Sequence, residues 1–193
     1  MRTLPLSPTN FPDEGQVYQP EEDTFLLLQK ALEEVRPDDI VLEVGTGSGY
    51  IASSIHACRM VIATDINPHA VFSSRAKGVQ VIRTDLTAGL CRVFTLILFN
   101  PPYIPTLPHE RLDDWLEYAL DGGLDGRRAL TRFLMQVPCI LAPEGRVMVL
   151  VSSLQNFKIC EKLFTASGFS FDITGKKILE DGEELRVYLL KIV

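Results

Sequence analysis

No apolar run in the 193-residue chain approaches the ~18 residues that a membrane span needs. Cysteines are few and unpaired: Cys58, Cys91, Cys139 and Cys160 stand far apart without a C-x-x-C pair, each in or beside an apolar segment. They read as free packing thiols, not as a disulfide framework or a metal site, so no metal is expected. Histidine is scarce too, and His56, His69 and His109 have no ligand spacing to one another or to a cysteine. Solvated or capping roles are expected for them. Basic residues are outnumbered, with 19 Lys and Arg against 25 Asp and Glu, and the net charge of −6 excludes a broad electrostatic footprint on DNA or RNA. No stable nucleic-acid binding is therefore expected, although a local basic patch stays open. The first segment, Met1–Gln19, is polar, proline-rich and without the basic start and apolar stretch of a signal peptide, which points to the cytoplasm. No repeat, low-complexity tract or linker divides the chain, so residues 1–193 read as a single domain.

What is present is an apolar majority. Hydrophobic residues make up 46% of the chain and charged ones 23%, a balance that excludes disorder. Glu21–Val35 has acidic residues in its first turn and Phe25, Leu28, Leu32 and Val35 at helical spacing. Short apolar runs follow at Ile40–Val44, Met60–Ile66, Val79–Ile82, Phe94–Phe99 and Arg146–Val151, each bounded by turn residues. Apolar throughout, they suit strands buried on both faces of a parallel sheet. Helices are expected between them at Ser48–Ala57, Pro68–Ala76, Ala129–Leu141 and Leu154–Ser167, giving an α/β fold. Two further strand-like runs, Ser170–Thr174 and Leu185–Ile192, are joined by a polar stretch with Gly175, Asp181 and Gly182. They read as an antiparallel pair closing one sheet edge. The stretch Tyr103–Asp125 has no clear element, and such loops are usually functional or mobile.

Val41–Gly49 begins as a strand and ends by opening a helix, with glycines at 45, 47 and 49. A structural turn would also need glycine, but so does the close approach of a nucleotide-like ligand. Asp65 ends the next strand, 20 positions after Gly45, where a carboxylate can accept both ribose hydroxyls. A dinucleotide site would place its third glycine where Tyr50 stands, so no pyrophosphate is expected. Thr84-Asp85-Leu86 follows the third strand, where an acceptor beside an apolar side chain suits adenine.

Phe94–Phe99 runs into Asn100-Pro101-Pro102-Tyr103. Two prolines forbid continuation of the strand, so the Asn100 amide and Pro101 carbonyl project from its carboxyl end, the edge at which open α/β sheets bind ligands. An amide or aryl-amine nitrogen is a poor nucleophile because its lone pair is delocalised. Two fixed acceptors would hold both of its N–H bonds, aim the lone pair at a methyl carbon and stabilise positive charge developing on nitrogen. Alignment of this kind can itself supply about 7–11 kcal/mol of barrier reduction. Tyr103 adds a flat face for a planar acceptor group.

These residues resemble the HemK-like branch of class I S-adenosylmethionine-dependent methyltransferases, specifically the short archaeal and eukaryotic release-factor glutamine N5-methyltransferases. The likeness covers Val17–Leu28, Leu42–Gly49, Thr64–Pro68, Thr84–Leu86, Asn100–Tyr103 and Gly122–Arg127. The tetrapeptide alone is shared with adenine N6-methyltransferases, so the combination is what is specific. The resemblance implies a Rossmann-like seven-stranded, mostly parallel sheet in the order 3-2-1-4-5-7-6 with strand 7 antiparallel and helices on both faces. It implies that Glu43, Gly45, Thr46, Gly47 and Gly49 surround the methionine part of S-adenosylmethionine, with Tyr18 and Thr24 close by and residues 1–20 packing near the cofactor site. Asp65 and Ile66 would hold the ribose, and Asp85 and Leu86 the adenine. Asn100, also beside the cofactor, would hold the target amide with Pro101, Pro102 and Tyr103. The bacterial members carry an extra N-terminal helical domain, whereas this chain has about 20 residues before its first helix. In that it is similar to relatives that depend on a small zinc-binding activator subunit. Such a subunit would pair with the open edge Val79–Thr84, with Val79 and Val81 on one face and Val61 and Ile62 on the adjacent strand. One departure is the brief Asn67–Val79 segment, which leaves only a short helix before the third strand. Adenine in nucleic acid, protein lysine and a noncatalytic cofactor-binding scaffold are the rival readings.

Overall fold

A computed structural model describes residues 13–107, 109–111 and 114–193. Strands β1 (Ile40–Val44), β2 (Met60–Asp65), β3 (Gln80–Arg83), β4 (Phe94–Phe99), β5 (Leu141–Ser152), β6 (Phe169–Ile178) and β7 (Glu184–Ile192) form one sheet in the order β3-β2-β1-β4-β5-β7-β6. β7 runs antiparallel to both β5 and β6, and the other pairs are parallel. The expected order and the antiparallel edge are both observed.

Side-chain alternation sends each strand into two cores. Leu42, Val44, Ile97 and Phe99 pack with Leu130 and Phe133 of α5 (Arg128–Gln136) and with Phe164 of α6 (Phe157–Ala166). Val41, Leu96 and Leu98 face Leu26, Leu27 and Ala31 of α1 (Glu22–Glu34) and Ile51 of α2 (Tyr50–Ser54). The third helix, α3 (Pro68–Ala76), covers Ala63 and Val81 through Val71. Among the described residues no helix is long and apolar enough to cross a membrane.

Several boundaries differ from expectation for physical reasons. α1 buries Asp23, Leu27 and Ala31, whereas Phe25 and Leu32 of the expected stripe are exposed, because a polar contact of Asp23 sets the buried face. α2 is only five residues long, too short for a helix-dipole argument at its start. α5 ends at Gln136, a 3₁₀ turn follows at Val137–Cys139, and Leu141 already belongs to β5. The expected Leu154–Ser167 helix is split by Asn156 at φ +62° into a 3₁₀ turn and α6. β6 runs past Thr174 to Ile178 through an irregularity at residues 173–175. The Tyr103–Asp125 stretch contains α4 (Glu117–Leu120) and a bridge between Ile104 and Asp121. Of the cysteines Cys160 is buried in the core beneath α5 and α6 and Cys58 packs against the core on the α1 side, whereas Cys91 and Cys139 are exposed, contrary to the packing role expected for them. His69 Nδ1 accepts the Asp13 amide. At the β3 edge Val81 lies beneath α3 and Arg75 donates to its carbonyl, so the Val79–Val81 face is already covered; Ile82 is the apolar residue left open. The part of the proline-rich N-terminal segment before Asp13 lies outside the described residues.

At the amino ends of the central strands sits a polar cluster that periodicity does not announce. Arg146, 3% exposed on β5, donates through both terminal nitrogens to Asp39, at 2.8 and 3.0 Å, and pairs with the Glu34 carboxylate. Thr95 adds a hydroxyl bond to Asp39 at 2.7 Å. Burial alone would raise the Asp39 carboxyl, yet bonds from Arg146, Thr95 and the Arg36 amide hold it below the usual carboxylate range. Removing one member of a buried pair costs about 3–5 kcal/mol, because the other charge is left without a partner. Arg146→Ala is expected to lower unfolding free energy by about that amount in urea titration; a change below about 1 kcal/mol would show that the cluster is not structural.

Candidate active site

Parallel pairing of β1 with β4, with Val44 beside Phe99, brings Gly45 and Asn100 together at the carboxyl end of the sheet. Here strand order reverses, the position at which such sheets open a crevice. A cavity of about 740 Å³ lies there. The glycine loop forms one wall, the Asn100–Tyr103 turn forms another, and the ends of β2 and β3 supply Asp65, Ile66, Asp85 and Leu86.

Gly45, Gly47 and Gly49 all have positive φ. Gly45, Thr46 and Gly47 line the cavity, but Gly49 has a packing duty: a Cβ there would come within 2.9 Å of the Ser74 Cα. Glu43 points to the α1 side of the sheet and is buried, accepting from the Thr46 hydroxyl at 2.6 Å and the Ala52 amide at 2.9 Å. Burial outweighs these bonds and pushes its carboxyl up to about 8. Asp65 is also buried, with one oxygen accepting from the Gly47 amide and the other from the Asn67 amide. Burial raises it as well, against the pull of those amides. Asp85 is half exposed and paired with Arg132 at 2.6 Å, beside Leu86 at φ +53°.

Asn100 is the best-defined polar group of the site. Its Nδ2 donates to Asp23 Oδ2 at 3.0 Å, whereas its Oδ1 is buried with no hydrogen-bond partner among the described residues. Asp23 in turn accepts from the Tyr18 hydroxyl at 3.0 Å and the Tyr103 hydroxyl at 3.4 Å. Burial and the neighbouring carboxylate push both phenols up, so they stay protonated donors. Asp23 was not legible as a site residue. It does lie inside the Val17–Leu28 likeness, and its further signal is a place on the same helix face as Leu27 and Ala31, where an acid is out of character.

Two surrounding segments stiffen this arrangement. The Gly122–Arg127 segment buttresses the tetrapeptide so closely that a Cβ on Gly126, at φ +72°, would lie 2.4 Å from the Tyr103 carbonyl oxygen. Over the glycine loop, the Gln16 carbonyl accepts from Asn67 Nδ2 at 2.7 Å, and its side chain accepts the Trp115 amide at 2.8 Å. Tyr18 and Thr24 line the cavity from this side.

No protein-family model matches the chain. Among solved structures it is similar to the E. cuniculi Mtq2–Trm112 complex, which is responsible for methylation of the eRF1 translation termination factor. The match has TM-score 0.76 and 26% identity, and covers 92% of this chain and 99% of that one. The fold is that of the class I methyltransferases. A candidate protein N5-glutamine methyltransferase of Methanocaldococcus jannaschii is 35% identical over 167 residues, 83% of this chain and 85% of that protein. The human methyltransferase HEMK2 is 39% identical over 148 residues, 68% of this chain and 69% of its own length. The chain belongs to the HemK-like S-adenosylmethionine-dependent methyltransferases and is a protein N5-glutamine methyltransferase by family.

Glu43 generates a pH prediction. The unfolded chain releases this proton in the ordinary carboxylate range and the folded chain holds it up to about pH 8. Stability of the cofactor-free protein therefore falls as pH rises through that window. Glu43→Gln is expected to flatten the profile in urea titrations from pH 5 to 8, while an unchanged slope would assign the effect elsewhere.

Proposed function

We propose that the chain transfers a methyl group from S-adenosylmethionine to the side-chain nitrogen of the glutamine in the Gly-Gly-Gln motif of a class I peptide chain release factor. The observation that carries this reading is Asn100 Oδ1, a buried acceptor at the wall of the cavity without a partner among the described residues. Leaving such an atom unpaired costs about 1–3 kcal/mol, which an entering N–H recovers. A primary amide brings two N–H bonds, one for Asn100 Oδ1 and one for the Pro101 carbonyl. A glutamine between glycines can reach them because its neighbours carry no Cβ to meet the cavity walls. The relatives named for glutamine N5 transfer and for eRF1 methylation support the same substrate.

The residues present fit the cofactor. Asp65 accepts the Gly47 and Asn67 amides through separate oxygens and keeps acceptor capacity for a ribose hydroxyl. Glu43 and Asp65 are buried carboxyls that form no salt bridge among the described residues, an environment suited to a ligand with cationic groups. Gly45, Thr46 and Gly47, together with Tyr18 and Thr24, line the cavity and would hold the methionine part, while Gly49 lets α3 pack behind the loop. Ile66 and Leu86 offer apolar contacts, and Asp85 an acceptor for the exocyclic amine in competition with Arg132. When bound, S-adenosylmethionine supplies an electrophilic methyl carbon on a sulfonium sulfur. Asn100 and Pro101 hold the nucleophile's N–H bonds and stabilise charge developing on nitrogen. Pro102 fixes the turn, Tyr103 lies against the planar amide, and the Gln16–Trp115 contact limits water entry. We read residues 1–193 as one methyltransferase domain with residues 13–20 near the cofactor site, acting in the cytoplasm where release factors work.

Mass spectrometry of a release factor incubated with the protein and labelled cofactor is expected to place one methyl on that glutamine and none on a Gly-Gly-Asn variant. Asn100→Ala is expected to slow transfer by about 10²–10³ with cofactor affinity changed only a few-fold. Asp65→Ala should chiefly weaken cofactor binding. Transfer only to lysine or to nucleic acid would overturn the assignment.

We also propose that a small zinc-binding subunit adds a strand along Val79–Thr84. Among the described residues β3 pairs on one side only, and Ile82 and Phe72, 43% and 46% exposed, leave apolar surface beside it. The Mtq2–Trm112 complex supports a partner of this kind. Because the Thr84 amide bonds to Asp65 on β2, alternation turns the Val81 amide outward. Val81→Pro is expected to abolish co-purification with such a subunit; full activity of the isolated chain together with no association in a pull-down would refute the proposal.

A further inference from the structure

Asp23 is an acid in an unusual place. It is 4% exposed and forms no salt bridge among the described residues, and neutral donors converge on it instead. Its Oδ1 takes the Thr24 amide and hydroxyl, while Oδ2 takes Asn100 Nδ2, with the two phenols of Tyr18 and Tyr103 closing the rest of the shell. A buried carboxylate is costly unless hydrogen-bonded in this way. The donors come from the segment ahead of α1, from α1 itself and from the turn after β4, so the acid ties three separate parts of the chain together.

The two ends of an asparagine amide are nearly alike in shape and opposite in hydrogen-bonding sense. Rotation by half a turn would present Asn100 Nδ2 to the cavity, a donor facing the N–H bonds of the proposed substrate. A carboxylate is acceptor-only and distinguishes the two ends, accepting from the amide nitrogen and repelling the amide oxygen. We infer that Asp23 is the positioning residue for Asn100: it holds the amide with Oδ1 turned to the cavity and, through a charge-assisted bond to Nδ2, draws electron density toward that oxygen and strengthens it as an acceptor. The inference rests on the proposed role of Asn100 in holding the target amide. Asp23 itself acts one bond away from the reacting atoms, through Asn100. Tyr18 and Tyr103 anchor the carboxylate so that it cannot follow the amide if the amide turns.

The test combines a rate with a signature that needs no substrate. In the full-length protein, Asp23→Ala is expected to slow single-turnover methyl transfer to the Gly-Gly-Gln release factor by about 10²-fold, the scale of a misplaced reacting group. Cofactor affinity, measured calorimetrically, should change only a few-fold. Asp23→Asn keeps the shape but can pair with Asn100 in either sense and removes the charge that strengthens the bond to Nδ2, so a smaller loss of about 10-fold is expected. Combining Asp23→Ala with Asn100→Ala should be no slower than Asn100→Ala alone, since both act through one group. In asparagine-labelled protein, the Asn100 side-chain NH₂ resonance, assigned by its loss in Asn100→Ala, should show one slowly exchanging proton that becomes fast in Asp23→Ala. Rates within a few-fold of wild type, a loss confined to KM for the cofactor, or an unchanged NH₂ signal would each overturn the inference. If wild-type protein transfers no methyl to the release factor, the substrate assignment fails, and the NH₂ signal alone decides whether Asp23 orients the amide. Should Asp23→Ala not fold, Asp23→Asn supplies both readouts.

Discussion

The register between β1 and β4 is the constraint on which the site depends. With Leu42 beside Ile97 and Val44 beside Phe99, the two strands end level, and the loops that follow emerge next to each other. A slip of one residue would invert every side chain of one strand relative to the cores. Glu43 would then turn away from α1 and Leu42 would enter its place, breaking both apolar layers at once. The pairing is enforced by alternate burial on two faces, so the position of the chemistry follows from hydrophobic packing some distance away.

Local patterns made much of this legible before any coordinates. The β-branched and aromatic runs, and the Gly, Asn-Pro-Pro and Asp residues that end them, mark strand termini because each mark is physical: positive φ, a missing donor, a side chain that leaves the ladder. The shared ends of β1, β2, β3 and β4 then assemble Gly45, Asp65, Asp85 and Asn100 around one cavity. Illegible were polar pairings between distant positions. The 77 positions that separate Asp23 from Asn100 carry no periodic trace of the bond that joins them. Read locally, Asp23 is an acid favoured in a first helical turn, and the exposed Phe25 and Leu32 pulled the expected stripe around the helix. Arg146 likewise reads as the polar start of a strand until Asp39 and Glu34 are placed against it.

Secondary-structure ends were least legible where tertiary contacts decide them. α2 stops after five residues, and the helix expected through Leu141 gives way to β5. In both cases helix-compatible residues are overruled by the strands they must rejoin. The thiols make the complementary point: Cys91 and Cys139 sit beside apolar runs without belonging to them.

β4 carries two features at its opposite ends. Thr95, near the start, is hydrogen-bonded into the Arg146–Asp39 cluster, and Asn100 follows directly after Phe99. The strand is flanked on both sides by hydrogen-bonded neighbours and pressed between two cores, so mechanically it is a beam clamped along its length with one residue overhanging. Two prolines and the Gly126 contact brace that overhang from beyond. Its amplitude of motion is therefore that of the sheet, which is small, and not that of a loop. The ordering entropy of the Asn100 amide is lost once, when the chain folds, and need not be lost again at each turnover.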